Sequence, residues 1–193
     1  MHRRLTRRVA RRARPRRSSV EPLRLFICYA RADENDVRKF IPNLKVLSKR
    51  GYIAPWQDTD LVPGDDWDDM IKERLCVAQV ILFMVSTDFL ASKYISDDER
   101  PLAMRRRTEG KAVVIPVLLS ACTWEQEDFA TIENLPSKGR LLTSYTPRAN
   151  GWKRVEEGIR AAVVSARPLL MQHSDHIPIN RHSLSKQLAS VVA

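Results

Sequence analysis

The stretch "VAQVILFMVS" (residues 77–86) is the longest mainly apolar run in the chain. Its length suits a buried strand and is well short of the roughly 18–20 apolar residues that a membrane-spanning helix needs. Because apolar and polar residues do not alternate along it, we expect both of its faces to be covered. Such strands are typical of a parallel sheet that lies between two layers of helices.

Segments of strand length and of helical periodicity alternate around this run. The other predicted strands are "LRLFICYA" (23–30), "YIAPW" (52–56), "KAVVIPVLLS" (111–120) and a weaker "RLLTSY" (140–145). Apolar residues at helical spacing predict helices after each of the first three strands, and a closing helix contains Trp152, Val155 and Ile159. The pattern therefore predicts an α/β domain over residues 23–167, with a five-stranded parallel sheet and helices on both faces.

The net charge of +10 is concentrated at the N-terminus. Residues 1–20 contain nine arginines and no acid, which leaves the rest of the chain at +1. We expect residues 1–22 to be a disordered leader, because they have too few apolar residues to form a core. Three interpretations stay open: a targeting-type leader, an arm that contacts nucleic acid or anionic lipid, or a dispensable extension. Residues 168–193 are predicted to be a tail with one short helix.

Several classes of enzyme site are absent from the sequence. The six glycines form no G-x-G pair, so the sequence lacks both a dinucleotide fingerprint and a phosphate-binding P-loop. The four histidines lie at positions 2, 173, 176 and 182, outside the predicted domain, and the three cysteines are far apart, so we expect no metal site. The apolar surroundings of the three cysteines predict that their thiols are free and buried, as in a cytoplasmic protein. Because the predicted domain has no histidine, carboxylates would have to perform any acid–base chemistry near neutral pH.

The acidic triplet of "SDDER" (96–100) offers such carboxylates. One interpretation is a capping box, with Ser96 as the N-cap and Glu99 three residues later. Pro101 favours Asp98 as the N-cap instead, because the proline then lies in the first helical turn, where its missing N–H is not needed. Glu99 would then be released from capping. In a parallel sheet ligands bind beyond the carboxyl ends of the strands, which brings residues 29–34, 56–64 and 86–99 to one edge.

Four ordered blocks resemble a bacterial Toll/interleukin-1 receptor (TIR) domain from about residue 23 to residue 166. They are "LFICYARADE", "W-x-D-x-D-L-V-P-G-x-x-W", "ILFMVSTDFLASKY-x(4)-E" and "VVIPVLL-x(3)-TW". The resemblance implies a flavodoxin-like fold with a five-stranded parallel sheet, in agreement with the alternation of elements. It also implies one of two functions. Many bacterial members are NAD+ glycohydrolases that act in defence against phage, whereas others are non-catalytic adaptors that only associate with other TIR domains.

The resemblance further implies a set of site residues. Glu99, five residues after Tyr94, matches the catalytic glutamate, and Asp98 is the alternative if the loop is shorter. NAD+ is then the substrate and no cofactor is expected. The other substrate-binding positions that carry over are Tyr29, Ala30, Arg31, Asp58 and Tyr94.

Residues Asp60, Leu61, Val62, Pro63 and Gly64 match the family loop that inserts into a neighbouring domain. Homotypic TIR–TIR assembly, with an activating partner chain or sensor, is therefore expected to complete the site. The resemblance leaves open whether the product is linear or cyclic ADP-ribose.

Overall fold

The computed structural model describes residues 21–55, 67–137 and 139–172. Its centre is a parallel sheet of four strands in the order β2-β1-β3-β4. The strands are β1 (Leu23–Cys28), β2 (Ile53–Pro55), β3 (Val80–Val85) and β4 (Val113–Leu118). This order, with β1 and β3 in the middle, confirms the flavodoxin-like class of fold.

Strand β3 is the most buried element, as its uninterrupted apolar sequence predicts. All six of its residues are buried, since β1 pairs with one edge, β4 pairs with the other, and helices cover both faces. In the register, Leu82 lies opposite Ile27 of β1 and Ile115 of β4. A strand enclosed in this way has no polar face, so the sequence shows no alternation.

Five α-helices complete the described fold. They are α1 (Glu34–Lys49), α2 (Trp67–Val77), α3 (Thr87–Ala91), α4 (Arg100–Thr108) and α5 (Arg148–Gln172). Helices α1 and α5 share one hydrophobic cluster with β1 residues Leu23 and Leu25, whereas α2 and α4 share a second cluster with Phe26 and Cys28. Because neighbouring residues of a strand point to opposite faces, the two clusters lie on opposite sides of the sheet.

Glycines with positive φ end two of the helices. Gly51 follows α1 with φ of 75°, and Gly110 follows α4 with φ of 69°. Glycine adopts this left-handed conformation without the steric cost that a Cβ atom brings, so the chain can leave the helix there and turn back towards the sheet.

The fifth strand predicted at residues 140–145 is not formed. Leu142–Ser144 is a short 3₁₀ helix instead. The position beside β4 is taken by Leu135, whose N–H donates to Pro116 O while its carbonyl accepts from Leu118 N–H, both at 2.8 Å. The apolar pair Leu141–Leu142 suggested a strand, but Leu142 is fully buried against the α1/α5 cluster from a turn.

Helix α5 is longer than the closing helix that we predicted. It continues past residue 167, through Pro168, to Gln172, and Leu170 on its last turn is buried. The leader at residues 1–20 and the tail at residues 173–193 lie outside the described residues. Among the helices that are described, none is both long enough and apolar enough to cross a membrane.

Arg167 links the end of α5 by hydrogen bonds to the segments before β1 and β2. Its guanidinium group donates to the carbonyl oxygens of Glu21 at 2.9 Å, Gly51 at 3.2 Å and Tyr52 at 2.9 Å. These carbonyls belong to the segments that lead into β1 and β2. The single side chain thus joins three parts of the chain that are distant in sequence.

We expect Arg167→Ala to lower the free energy of unfolding by about 1–2 kcal/mol, because three carbonyls lose a charged hydrogen-bond donor at a partly exposed site. Urea titration followed by circular dichroism measures this loss. Arg160→Ala is the matched control, since Arg160 is an exposed arginine of the same helix, and its effect should stay within about 0.5 kcal/mol. Equal losses in the two variants would contradict the role given to Arg167.

Candidate active site

The acidic triplet lies in a wide helical turn directly before α4. Residues Ile95–Glu99 form a π-helical turn, and Arg100 N–H donates to Ile95 O at its end. Ser92 Oγ accepts from Ile95 N–H at 3.4 Å and so caps the start of this helical segment. Both capping residues considered from the sequence, Ser96 and Asp98, were therefore wrong, since both lie inside the helical segment.

Pro101 is the second residue of α4, but the continuous helical segment already begins at residue 93, so Pro101 does not lie in the first helical turn that the sequence predicted. It has no N–H, so the preceding turn has one backbone donor fewer than a regular α-helix requires. The wider π turn falls at this point in the chain. Such turns insert one extra residue into a helix and are frequent at functional sites.

The three acids of the triplet have different environments. Asp97 is exposed, and Asp98 forms an ion pair with Lys72 of α2 at 3.0 Å. Glu99 is only 7% exposed and lies within the α2/α4 side of the domain. Arg100, which follows it, forms ion pairs with Glu127 and Asp128. Glu99 alone is a buried carboxyl group without a cationic partner among the described residues.

The Glu99 carboxyl group contacts the end of β1. Cys28, the last residue of that strand, is fully buried and its thiol donates a hydrogen bond to the Glu99 carboxylate. The Oε2 atom of Glu99 is buried and has no hydrogen-bond partner in the part of the chain that the structure describes. The carboxyl group thus has one hydrogen-bond donor in Cys28, while its Oε2 atom is buried without a partner among the described residues.

Burial changes the acidity of both groups. Loss of hydration raises the pKa of Glu99 from 4.5 to about 7, the charge of Asp98 raises it further, and the Cys28 hydrogen bond opposes the rise. Burial, together with the neighbouring Glu99 charge, raises the pKa of the Cys28 thiol well above its usual value. Near neutral pH, Cys28 is therefore a neutral donor and Glu99 is divided between its two protonation states.

The three residues that follow β1 diverge in the structure. Tyr29 is half-buried and packs against the α1/α5 cluster, whereas Ala30 is buried in the α2/α4 cluster that also contains Cys28. Arg31 is exposed at the start of a 3₁₀ turn, Arg31–Asp33. Of these three residues, Ala30 is the one that packs on the side of the sheet that holds Glu99.

Tyr94 and the loop after β2 complete the set of residues expected at the site. Tyr94 is half-buried and packs against the same cluster as Ala30, one residue before the π turn. Asp58 and the assembly-loop residues 60–64 lie outside the described residues. The structure thus brings Tyr94, Ala30 and Glu99 to one side of the sheet.

Sequence reasoning missed a second polar contact at this edge of the sheet. Ser86 follows β3, is buried, and donates to Asp33 Oδ2 at 2.6 Å while it accepts from Phe89 N–H at 3.0 Å. Burial raises the pKa of Asp33, and the hydrogen bond from Ser86 opposes that rise. Ser86 therefore caps α3 and ties the turn after β1 to the end of β3. The serine directly after an apolar strand and three residues before Phe89 was the available signal, as it fits an N-cap.

No metal site is found in the described part of the chain, where no three His, Cys, Asp or Glu side chains cluster suitably for an ion. The candidate site consists of Glu99 with Cys28, together with Ala30 and Tyr94 on the same side of the sheet. This arrangement can supply a carboxylate to a developing positive charge in a poorly hydrated environment.

We expect Glu99→Gln to stabilise the fold at about pH 8 and to have little effect at about pH 5. Between pH 4.5 and about pH 7, Glu99 keeps its proton in the folded state but has lost it in the unfolded chain. The free energy of unfolding therefore falls as pH rises through this range. The full penalty for ionising Glu99 is about 3.5 kcal/mol, from the rise of its pKa from 4.5 to about 7 at 1.4 kcal/mol per pKa unit, and glutamine avoids it.

Melting temperatures of both proteins at the two pH values measure this effect. Asp97→Asn is the matched control, since Asp97 is an exposed acid of the same turn. A gain from Glu99→Gln that is equal at both pH values would show that Glu99 is not the source of the pH dependence.

Comparison with known proteins agrees with the observed fold. Residues 25–146 match the family model described as the TIR domain, which is more than half of the chain. The chain is also 32% identical over 138 residues to the uncharacterized protein y4lF of Sinorhizobium fredii (strain NBRC 101917 / NGR234). That match covers 72% of this chain and 43% of the relative, so the chain spans less than half of the relative's length. On this match and its parallel sheet, the chain belongs to the TIR domain family.

Proposed function

We propose that this TIR domain protein is an NAD+ glycohydrolase in which Glu99 is the catalytic carboxylate. The observation that carries the proposal is the state of Glu99: it is buried, its pKa is raised to about 7, and its Oε2 atom has no partner among the described residues. A buried carboxyl group with a strongly shifted pKa is costly to the fold, and such groups cluster at functional sites.

The reaction suits a site with one carboxylate and no histidine. The bond between the ribose C1′ carbon and the nicotinamide nitrogen breaks, and its electron pair leaves with nicotinamide, which becomes neutral. Positive charge then develops on the ribose, as in the hydrolysis of other glycosides. Water adds to C1′ and releases a proton, which gives ADP-ribose; a nucleophile from the adenine side of the same molecule would give a cyclic product.

The environment of Glu99 strengthens its electrostatic effect. A carboxylate attracts a nearby positive charge more strongly where water is excluded, because the local dielectric constant is lower. Glu99 is already desolvated before substrate arrives, so little reorganisation is needed when the ribose becomes cationic. The same desolvation keeps part of the protein protonated and inactive near neutral pH.

The remaining substrate contacts are proposals carried over from the family resemblance. Arg31 is exposed beside the end of β1 and is suited to bind the diphosphate of NAD+. Tyr94 and Ala30, on the Glu99 side of the sheet, would border the ribose and the nicotinamide ring. From the family resemblance we also propose Tyr29 as a contact near the ribose and phosphates, and Asp58, which lies outside the described residues, as a contact on the nicotinamide side.

Assembly is the proposed means of activation. TIR domains interact with one another, and residues 60–64 are the segment that we assign to such contacts in this chain. An activating partner chain or sensor would then drive assembly, and cleavage of NAD+ would serve in bacterial defence against phage. We assign this activity to the cytoplasm.

A non-catalytic TIR adaptor is the second candidate. The low exposure of Glu99 favours it, because a protonated glutamic acid that binds Cys28 can be a core group that never meets substrate. The two candidates differ in one measurement. Concentrated protein incubated with NAD+ releases nicotinamide only if the first proposal holds.

We expect Glu99→Gln to reduce nicotinamide release by about 100- to 1,000-fold, because the shape of the side chain is retained while the charge that stabilises the transition state is lost. Asp97→Asn should leave the rate within about twofold, since Asp97 is exposed. Asp98→Asn tests the alternative carboxylate. Loss of activity in Asp98→Asn with full activity in Glu99→Gln would transfer the catalytic role to Asp98.

We expect the pH profile of nicotinamide release to rise through about pH 7, the pKa of Glu99. In Cys28→Ala the ionised carboxylate loses a donor, so the pKa of Glu99 and the midpoint of the profile move upward by up to about one unit. Cys28→Ser keeps a donor and should restore part of the shift. Cys76→Ala, at a half-buried thiol of α2, is the control, and an equal shift there would exclude a specific effect of Cys28.

A further inference from the structure

A cavity of about 410 Å³ lies between the segment after Leu135 and the first turns of α5. Its lining includes three cationic side chains, Arg140, Lys153 and Arg154, together with Tyr145, Asn150 and Glu157. The cavity shares no residue with the candidate active site. Its α5 residues belong to the helix that packs on the side of the sheet opposite Glu99.

The cavity lies next to the carboxyl end of β4. Thr143 N–H, in the turn between Arg140 and Tyr145, donates at 3.1 Å to the carbonyl of Leu119, the residue that follows β4 directly. Ligands of parallel α/β sheets bind beyond the carboxyl ends of the strands. Its volume is within the range of roughly 300–1,000 Å³ that is usual for pockets that bind small molecules. It is an open depression of the surface, since the side chains of Lys153 and Arg154 are 73% and 65% exposed.

The charges of the lining are unbalanced. Arg140, Lys153 and Arg154 bring three positive charges, and Glu157 brings one negative charge, so the lining has a net positive charge. Glu157 is shared between Arg154 at 3.2 Å and Lys153 at 4.0 Å. One carboxylate thus pairs with two cations, and neither cation is fully neutralised.

Arg140 is partly ordered before any ligand binds. Its guanidinium carbon lies 4.1 Å from the centre of the Tyr145 ring, and its Nε–H donates to Ser144 Oγ at 3.4 Å. Stacking on an aromatic ring fixes the plane of the guanidinium group. The fixed plane reduces the entropy that Arg140 loses when it binds an anion.

From these observations we propose that the cavity binds the diphosphate group of a small ligand. Two guanidinium groups can each donate two parallel hydrogen bonds to phosphate oxygens, Lys153 adds a point charge, and the Asn150 amide adds a neutral donor. The volume admits a ligand as large as a nucleoside diphosphate. Inorganic pyrophosphate and a nucleoside diphosphate share the chemistry that the lining recognises.

Glu157 sets the affinity of this site. A diphosphate must displace Glu157 from Arg154 and Lys153, and it then faces the negative charge of the displaced carboxylate. Replacement of Glu157 by glutamine removes that competition without changing the size of the side chain. The cavity therefore predicts opposite effects for two neighbouring substitutions of α5, a loss at Arg154 and a gain at Glu157.

Isothermal titration of the full chain with pyrophosphate, and separately with ADP, tests the proposal. We expect pyrophosphate to bind with a dissociation constant below about 1 mM, more weakly as salt is added. Arg154→Ala should weaken binding about tenfold, and Glu157→Gln should tighten it about threefold. Arg160→Ala, at an exposed arginine of α5 outside the cavity, should leave the affinity within about twofold.

The two probes separate the sources of the diphosphate. Equal affinities show that the diphosphate alone is recognised, whereas tighter binding of ADP shows that the nucleoside also contributes; both outcomes support the site. The proposal is overturned if neither probe binds at about 5 mM, if Arg160→Ala weakens binding as much as Arg154→Ala, or if Glu157→Gln weakens binding. Circular dichroism of each variant verifies that the fold is kept.

Discussion

The hydrogen bond from the Cys28 thiol to the Glu99 carboxylate joins the end of β1 to the turn before α4, and the chemistry proposed for this protein depends on it. A carboxyl group that is 7% exposed loses most of its hydration. One weak thiol donor replaces only part of that loss. The pKa of Glu99 therefore settles at about 7, where the fold tolerates the group in its protonated form and the reaction needs it in its ionised form.

The π turn explains why three adjacent acids differ so much. In a regular helix, consecutive residues are spread about 100° apart around the axis, and the extra residue of the π turn shifts this order just before Pro101. Asp98 then reaches Lys72 on α2, while Glu99 points into the domain. A stable fold alone would favour an apolar residue at position 99. This cost to stability is the reason why we propose a functional role for Glu99.

The elements that could be predicted from the sequence are those decided by local patterns. The uninterrupted apolar run of β3 and the glycines at positions 51 and 110 each determine their own conformation through burial or φ. The prediction of a fifth strand was wrong because Leu135, and not residues 140–145, pairs with β4. Which segment pairs with β4 depends on how distant parts of the chain pack. Cys28 was predicted correctly as a buried thiol, yet its contact with Glu99 joins residues 71 positions apart. No periodicity encodes such a pair.

The two proposed ligand sites are separated by the sheet, and the contacts between them are too weak to couple them strongly. Polar links between α1 and α5 include the Asn43 amide, which donates to Glu156 Oε2 at 2.8 Å, and the ion pair of Arg148 with Asp36 at 2.9 Å. Asp33, which directly precedes α1, accepts from Ser86. The Arg148 side chain is 40% exposed, so water and salt screen this ion pair to about 0–1 kcal/mol. A coupling of that size changes an affinity by at most about fivefold. Stronger coupling would require the sheet itself to adopt two arrangements, and the tight packing of β3 on both faces opposes that. We therefore infer that the cavity and Glu99 act independently within one domain.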